Sequence, residues 1–527
     1  MSTPIQIHPP MQKRNLSTQG RPHGDYRILL VYPNIQQCAL MPYAIGLFTA
    51  LLRDEGFEVG LFDSTFYLND INANYTHYQT YVRAFDWAEK GVEFNQQDML
   101  ADFVQKVESF APDLIAVSVV ENTYPIGREM IRALPEKFRN TPVMWGGVFA
   151  TFAPELILRD NVGDYVCVGE GEHALVEFCR RQCSGESVDT IPNLWLRRNG
   201  SIIKNKLGPA AVLDDLPFPD YDLFEEKAIH RPMQGRIWRT VGIESQRGCP
   251  YTCTYCNSPG QNDLAKREQG SLFYRKKSLV RVMDEIRHLH TKYNVELIYW
   301  LVDTFLALSA QEFDELADRY AEFRIPFWMN TRPETMSEYR AEKLEQMNML
   351  RMNFGIEHGN PQYREQLLKR RVSDDRMIKG FEYCVGRNFV TVGNCIIGMP
   401  EENRALIFDT INLTRRVPKE IEKCGAFIFA PYHGTPLRDI AVKNGYLPAD
   451  TICDIQNPTV SMLDQPQLSR GEVIGLARTF GLYQTLPESE WKWVEKAEHD
   501  TVEGREIYDR LVMEYNVINA DGRLDEG

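Results

Sequence analysis

Short, unbroken apolar segments alternate with segments of helical spacing along most of this chain, in two successive series. The strand candidates of the first series are Arg27–Pro33, Phe57–Asp63, Pro112–Val119, Pro142–Gly146 and Asp164–Val168. Strands that are apolar throughout and separated by helices are typical of parallel sheets covered on both faces. The first series therefore predicts an α/β domain of the doubly wound, Rossmann-like type.

The second series has six strand candidates, and helical stretches such as Ser278–Tyr293 and Ala310–Phe323 lie between them. The candidates are Thr240–Glu244, Leu297–Val302, Pro326–Asn330, Met352–Ile356, Val390–Ile397 and Ala426–Ala430. Six βα units in succession predict a partial (β/α)6 barrel with its active site at the C-terminal strand ends. Beyond this barrel the chain is polar and helical in Arg470–Gln484 and Trp491–Glu514.

Turn and linker signals divide the chain further. Asn199-Gly200 is a dipeptide that favours a type I′ hairpin turn, and Asp214–Tyr221 is rich in Pro and Asp. We therefore expect five segments. They are a disordered tail (residues 1–26), a Rossmann-like domain (27–205), a linker (206–235), a barrel domain (236–455) and a helical C-terminal region (456–527).

The composition argues against two classes of partner. A formal net charge of −14 opposes binding to a phosphate backbone, so nucleic acid is not expected. No segment approaches the roughly 18 apolar residues of a membrane span, and the N-terminus has no apolar signal core. The 11 cysteines are scattered rather than dense, which favours a reducing compartment. We expect a cytoplasmic protein.

The loop after the first barrel strand carries the chemistry. Cys249, Cys253 and Cys256 lie at C-x-x-x-C-x-x-C spacing, so each thiolate can bind one iron of a [4Fe-4S] cluster and leave the fourth iron open. A structural zinc site would need a fourth ligand, but the next cysteine is Cys384. Buried structural thiols are also disfavoured, because Gly, Pro and Thr surround the three cysteines.

The loop, with Tyr255 before its third cysteine, resembles the signature of the radical S-adenosylmethionine (SAM) superfamily. Further segments resemble the cobalamin-binding class of that superfamily. Those before the barrel are Pro42–Gly46 with Asp63, Pro112–Val119, Trp145–Thr151 and Gly169–His173; those within it are Asp303–Phe305, Gly355–Gly359, Ile396–Glu402 and Pro431–Pro436. The resemblance implies that SAM chelates the open iron and is cleaved to a 5′-deoxyadenosyl radical.

The resemblance also implies roles for single residues. Tyr255 and Ile396 would contact the adenine of SAM, Glu357 would lie near its ribose, and Asp303 would lie near its methionine moiety. Each of the last three has another interpretation: Asp303 as a helix cap, Glu357 as a surface carboxylate and Ile396 as core. No catalytic residue is predicted beyond these contacts and the cluster.

The C-terminal strand ends of the first domain carry small or polar residues, which predict a ligand site there. They are Ser118, Gly146, Gly147, Gly169 and Glu170. The glycines would let a planar ligand approach, although they could equally serve tight turns. The resemblance makes this ligand cobalamin. The Asp-x-His-x-x-Gly motif is absent and no histidine lies between Arg27 and Thr76, so cobalamin would be base-off without a histidine ligand. A domain of this fold that has lost its ligand is the alternative.

The function that this resemblance implies is methyl transfer to an unactivated carbon of a small molecule, with a flavodoxin or ferredoxin as electron donor. Cyclisation or rearrangement with the same cofactors is one alternative. A non-catalytic iron–sulfur or corrin protein is another, although an electron carrier normally has four cluster ligands. The sequence does not identify the substrate.

Overall fold

The computed structural model describes residues 22–35, 40–68, 85–422, 424–453 and 460–520. Most of the predicted N-terminal tail and both ends of the predicted C-terminal region lie outside these ranges. The chain divides into two compact units. The first comprises the described residues up to Leu68 with Glu93–Ala228 and Ala265–Ser271, and the second comprises the described residues of Asn69–Val92, Ile229–Leu264 and Leu272–Gly527.

A seven-stranded sheet forms the centre of the first unit. Its strands are β1 (Arg27–Tyr32), β2 (Glu58–Asp63), β3 (Leu114–Ser118), β4 (Val143–Gly146), β5 (Tyr165–Cys167), β6 (Leu194–Arg198) and β7 (Ser201–Lys204). Their order is β2-β1-β3-β4-β5-β6-β7, with β1 to β5 parallel and the last two antiparallel. The predicted strands and hairpin are confirmed. The strand order changes direction at β1, because β2 is added on one side of β1 and β3 on the other. Ligands of such sheets bind at this switch point, between β1 and β3.

Helices cover this sheet on both faces. They are α1 (Tyr43–Asp54), α2 (Met99–Phe110), α3 (Tyr124–Arg132), α4 (Val148–Phe152), α5 (Pro154–Arg159) and α6 (Glu172–Ser184). On one face, Ile28 and Leu30 of β1 share a core with Leu52 of α1 and Phe178 of α6. Leu29 and Val31, which alternate with them along β1, are buried as well. Burial on both faces explains why these strands are apolar throughout.

Two hairpins turn on residues with positive φ. The predicted turn has Asn199 at φ 50° and Gly200 at φ 78°. A second turn, Gln234-Gly235 at φ 56° and 74°, joins β8 (His230–Met233) to β9 (Arg236–Ile243). β8 lies within the predicted linker, and the sequence did not reveal it because glutamine rarely adopts this conformation.

The second unit contains the half-barrel. After β8 and β9 come β10 (Gln246–Arg247), β11 (Arg275–Lys276), β12 (Leu297–Trp300), β13 (Phe327–Thr331), β14 (Met349–Glu357), β15 (Val390–Ile397) and β16 (Gly425–Ile428). The main sheet has the order β16-β15-β14-β13-β12-β9-β8, in which the six strands from β9 to β16 are parallel and β8 is antiparallel. The predicted partial barrel is confirmed.

The helices that follow in the chain are α7 (Ser258–Gln269), α8 (Leu279–Tyr293), α9 (Ala310–Tyr320), α10 (Glu338–Gln346), α11 (Pro361–Gln366), α12 (Asp374–Glu382), α13 (Arg404–Arg415), α14 (Pro436–Lys443), α15 (Arg470–Thr485), α16 (Trp491–Ala497) and α17 (Val502–Ala520). The predicted helix Trp491–Glu514 is therefore two helices. The chain breaks before Thr501, whose hydroxyl accepts the N–H of Gly504 at 3.0 Å as a cap. No helix in the described ranges is long and apolar enough to cross a bilayer.

Strand β14 shows how the half-barrel presents its polar side chains. Met352, Phe354 and Ile356 are buried, whereas the alternating Arg351, Asn353 and Glu357 are partly exposed. Because successive side chains of a strand point to opposite faces, the second set shares one face. Asn353 and Glu357 line a cavity of about 640 Å³, so this face is the inner one.

Candidate active site

The cysteine loop connects β10 to α7. Gly248 has φ +80°, and a Cβ there would lie 2.9 Å from the ring of Phe273, so this position requires glycine. Cys249 is buried, and Cys253 and Cys256 are half-buried. The N–H of Cys256 donates to the carbonyl of Cys253 at 3.2 Å, which bends the loop back on itself.

One cavity of the second unit gathers every site residue that the sequence analysis predicts in the barrel. These are Cys249, Cys253, Tyr255, Cys256, Asp303, Glu357 and Ile396. They come from the cysteine loop and from the ends of three different strands. The shared cavity places the thiols and the proposed SAM contacts around one space.

Two of the three thiols have raised pKa values, which favours their protonated form while no metal is bound. Burial raises the pKa of Cys249, and burial followed by the charge of Asp303 raises the pKa of Cys256 to about 11. Thiolates bind metal, so cluster binding would displace these protons. Within the described ranges, no three His, Cys, Asp or Glu side chains converge on a single ion position. Structural zinc needs such convergence, whereas three thiolates of a cubane each bind a different iron.

Four charged side chains form a chain of ion pairs beside the loop. Arg332 pairs with Glu334 at 2.6 Å, Glu334 with Arg370 at 3.2 Å, and Arg370 with Glu357 at 3.3 Å. Arg370, 1% exposed, also donates to the Tyr255 hydroxyl at 3.4 Å and to a strand carbonyl. Neither arginine was predicted, although Arg332 directly follows a strand and could have been found from that position.

Glu357 has an unusual backbone. Its φ is +69°, and the register between β14 and β15 shifts between Gly355 and Glu357. Such a bulge redirects a side chain at a strand end. Burial raises the pKa of Glu357, and Arg370 acts against that rise. Glu357, with this unusual backbone conformation, lines the cavity, which disfavours its interpretation as a simple surface carboxylate.

Asp303 differs from Glu357 because it is exposed. Its Oδ2 accepts a hydrogen bond from the Ser258 hydroxyl at 2.5 Å, and Ser258 also donates its backbone N–H to the Cys256 sulfur at 3.5 Å. Asp303 is therefore tied to the cysteine loop through one serine. The sequence analysis did not predict Ser258, which begins α7.

A row of hydrogen-bonded polar side chains runs across neighbouring strands of the half-barrel. Arg351 donates to Asn353 Oδ1 at 3.2 Å, Asn353 donates to Asn330 Oδ1 at 3.1 Å, and Asn330 donates to the Tyr299 hydroxyl at 2.7 Å. Because a guanidinium can only donate, Arg351 fixes the orientation of both amides. The Tyr299 oxygen then accepts, which leaves its O–H hydrogen to donate. Burial raises the pKa of Tyr299 and keeps that proton in place.

Apolar side chains complete the cavity. Ile396 of β15 and Phe427 of β16 are register partners, so their side chains share the inner face. Phe427 is 42% exposed, which is high for a phenylalanine on a barrel strand. The cavity is therefore lined by charged, by neutral hydrogen-bonding and by apolar side chains.

The predicted residues of the first unit lie at the C-terminal edge of its sheet, and two of them stand side by side. Ser118 and Gly146 are register partners at the ends of β3 and β4. A Cβ on Gly146 would meet no protein atom within 4 Å, so the space beside this glycine is open. A ligand can therefore approach the backbone at this strand end, as a cobalamin site at the sheet edge requires.

The other three predicted residues of that edge have local structural roles. A Cβ on Gly147, at φ +101°, would lie 2.2 Å from the Val119 carbonyl, so this glycine is required by the backbone. Gly169, at φ +81°, donates its N–H to the Thr151 hydroxyl at 3.0 Å. The carboxylate of Glu170 accepts the N–H of Ala211 at 2.9 Å.

Two family profiles match the two parts of the chain. The B12 binding domain matches residues 40–179, and the Radical SAM superfamily matches residues 243–414. An uncharacterized methyltransferase of Pyrococcus horikoshii is 26% identical over 355 residues, which cover 66% of this chain and 73% of that protein. The anaerobic magnesium-protoporphyrin IX monomethyl ester cyclase of Synechocystis sp. is 25% identical over 202 residues, 37% of this chain and 38% of the cyclase.

A solved structure shares the arrangement. The radical SAM methyltransferase TsrM from Kitasatospora setae, with cobalamin and a [4Fe-4S] cluster bound, superposes with a TM-score of 0.62 at 15% identity, covering 94% of this chain and 99% of TsrM. At that identity the likeness shows a common fold. The B12 profile falls on the Rossmann-like sheet, and the Radical SAM profile falls on the half-barrel that follows it in the chain. The chain carries, in this order, the B12 binding domain and the Radical SAM domain that together characterise the cobalamin-binding radical SAM enzymes.

Proposed function

We propose that this enzyme transfers a methyl group from SAM to an unactivated carbon of a small molecule, using a [4Fe-4S] cluster on Cys249, Cys253 and Cys256, and cobalamin in the N-terminal domain. The observation that carries the proposal is the single cavity that brings the three thiols together with Asp303, Glu357 and Ile396. When bound, the reduced cluster and SAM supply a 5′-deoxyadenosyl radical, and cobalamin carries the methyl group.

Different residues of the cavity hold different parts of SAM. Asp303 accepts from the amino group of the methionine moiety, and Glu357 accepts from the ribose hydroxyls. Ile396 and Tyr255 enclose the adenine. Arg370, at 3.3 and 3.4 Å from Glu357 and Tyr255, keeps both side chains in place.

The wall of the cavity indicates the kind of substrate. Tyr299, whose O–H remains available as a donor, and Phe427, which offers an aromatic surface, both line the cavity. A small molecule with a hydrogen-bond acceptor, such as a carbonyl or carboxylate oxygen, and an apolar or aromatic part satisfies both. Burying the acceptor against Tyr299 would orient the carbon that loses hydrogen.

Several further assignments belong to the proposal. Cobalamin binds base-off, with Gly146 and Ser118 beside it and no histidine ligand, because the sequence lacks the Asp-x-His-x-x-Gly motif. The boundaries lie at residues 26/27, 205/206, 235/236 and 455/456. Reduction comes from a flavodoxin or ferredoxin in the cytoplasm, where reduced cysteines are maintained.

Isotope labelling tests methyl transfer and searches for the substrate together. Anaerobically reconstituted, reduced enzyme is incubated with cobalamin, CD3-labelled SAM and a metabolite extract of the source organism. We expect 5′-deoxyadenosine, S-adenosylhomocysteine and a metabolite that has gained the label, all detected by mass spectrometry. The Cys253→Ala protein is the matched control and should form none of them.

Other outcomes separate the alternatives. Deoxyadenosine without S-adenosylhomocysteine or label would favour cyclisation or rearrangement, the alternative supported by the similarity to the Synechocystis cyclase. A labelled product without deoxyadenosine would contradict the radical step. If the fully loaded enzyme yields none of the three products, the catalytic proposal is wrong.

A further inference from the structure

The three cysteine sulfurs of the loop have different hydrogen-bonding neighbours. Cys249 lies 3.6 Å from the Thr304 hydroxyl, and Cys256 accepts from the backbone N–H of Ser258 at 3.5 Å. Cys253 instead accepts from a guanidinium nitrogen of Arg332 at 3.6 Å. One of the three sulfurs therefore has a cationic donor, while the donors of the other two are neutral.

The guanidinium of Arg332 is held on two further sides. Its Cζ atom lies 3.9 Å from the ring centre of Tyr251, and the Glu334 carboxylate pairs with the guanidinium at 2.6 Å. Arg332 is 8% exposed. A planar group fixed by stacking and by an ion pair keeps its N–H direction, which a flexible surface arginine would not.

Any effect of Arg332 on the loop does not come from an excess of positive charge. Arg332 and Arg370 are matched by Glu334 and Glu357 in the chain of ion pairs, so the four groups sum to zero when ionised. What remains beside Cys253 is a directed N–H group in a largely buried setting, where a hydrogen bond is electrostatically stronger than in water.

We infer that Arg332 tunes the cluster, raising its reduction potential through an N–H hydrogen bond to the thiolate of Cys253. The inference rests on the proposed [4Fe-4S] cluster. A donor aimed at a ligand sulfur withdraws electron density and favours the reduced state, which carries one more negative charge. The electron comes from an external donor of the flavodoxin or ferredoxin class. Arg332 acts as a positioning residue that makes this one-electron reduction easier.

A redox titration followed by electron paramagnetic resonance tests the inference in the full-length reconstituted protein. SAM is omitted, so that any contact between Arg332 and SAM has no influence. In Arg332→Met, which keeps an apolar stem over Tyr251, we expect full iron content and a midpoint potential more negative than that of the wild type. Arg332→Lys retains a donor of different geometry and should shift the potential less.

Arg376→Met is the matched control. Arg376 donates to the carbonyls of Glu334 and Met336 at 2.7 and 2.9 Å, so it supports the segment that follows Arg332 without contacting a loop sulfur. We expect it to keep the wild-type potential. A wild-type potential in Arg332→Met overturns the inference and leaves the cluster intact, and loss of iron from both Arg332 variants overturns it too. Absence of a cluster from the wild type would instead contradict the proposed function.

Discussion

The half-barrel cavity and the C-terminal edge of the first sheet both lie where parallel strands end, but the structure builds them differently. In the barrel, all seven predicted residues line one cavity, and ion pairs and hydrogen bonds position them. At the sheet edge, three of the five predicted residues have local structural roles. Ser118 and Gly146 alone among the five are left to define an open surface. Side chains build the first site, whereas the absence of a side chain shapes the second.

Two carboxylates at strand ends, one in each unit, also differ in the groups that stabilise them. Glu357, at the end of β14, is paired with Arg370 at 3.3 Å. Asp63, at the end of β2, accepts the N–H and O–H of Thr65 at 2.9 and 2.5 Å. Burial raises the pKa of both groups, and that of Asp63 reaches about 6. The barrel compensates a buried carboxylate mainly with a cation, and the sheet edge does so mainly with hydrogen bonds.

Removing one thiol should have the largest effect, because the barrel site depends on particular side chains. Cys249→Ala, Cys253→Ala and Cys256→Ala should each lose most of the bound iron and nearly all formation of 5′-deoxyadenosine, since the described lining of the cavity includes no fourth cysteine that could replace a missing cluster ligand. Iron analysis and visible absorbance after anaerobic reconstitution measure this. Corrin binding should persist, because the first unit is untouched.

Cys384→Ala controls for the loss of any cysteine in the same unit. Cys384 is buried, and its thiol donates to the carbonyl of Gly380 at 3.4 Å. This variant should retain the cluster, with a stability cost of about 1 kcal/mol. Wild-type iron content in the protein lacking all three loop cysteines would contradict the assignment of the cluster.

The contrast also explains how much of the fold the sequence could predict. Apolar runs such as Arg27–Pro33 and Val390–Ile397 mark strands buried on both faces or at the wall of a barrel, and both are strands in the structure. The strand before β9 was missed because Gln234 occupies a turn position that its residue type does not announce. Local chemistry predicts elements well, and exceptions arise where tertiary pairing overrides it.

Some site residues could be predicted from the sequence and others could not. The cysteine spacing is a local signal, so the loop could be found without knowledge of the fold. Arg370 follows no strand and belongs to no motif; it reaches Glu357 and Tyr255 because the chain folds back after α11. Gly146 and Gly147 look alike in the sequence, and backbone geometry alone separates an open surface from a required turn.

A substitution at Gly146 tests the idea that the sheet edge works by leaving space. Gly146→Trp places an indole where a Cβ meets no protein atom, so the fold should tolerate it while cobalamin is excluded. We expect about a tenfold or larger loss of cobalamin affinity, a difference of roughly 1.4 kcal/mol or more. Corrin absorbance after desalting and titration with cobalamin measure the effect, and iron content should not change.

Gly471→Trp is the matched control, because a Cβ at Gly471 also meets no atom within 4 Å and this residue lies in α15 of the second unit. It should bind cobalamin as the wild type does. Gly147 is unsuitable for this test, since any side chain there would strike the Val119 carbonyl. Full corrin retention in Gly146→Trp would remove the proposed location of cobalamin.

The smallest expected effect concerns the buried carboxylate of the sheet edge. Because the pKa of Asp63 is raised by burial from near 4 in the unfolded chain to about 6 in the folded protein, folding favours its protonated form. Its contribution to stability is complete below the unfolded pKa and is lost as the pH rises towards 6. Between pH 5 and pH 7 the wild type should lose about 1 kcal/mol from this group.

Asp63→Asn isolates that loss from other titrating groups. Both hydrogen bonds from Thr65 reach the same oxygen, Oδ1, so an asparagine can accept them with its amide oxygen and carry no charge at any pH. The variant should therefore gain melting temperature relative to the wild type on going from pH 5 to pH 7, by a few degrees in the transition of the first unit. Glu58→Gln, at the exposed start of the same strand, should show no such pH-dependent gain beyond that from its surface pair with Arg27. If the wild type and Asp63→Asn keep a constant difference across this range, Asp63 is charged throughout. In that case the sheet edge, like the barrel, would have to compensate a buried charge.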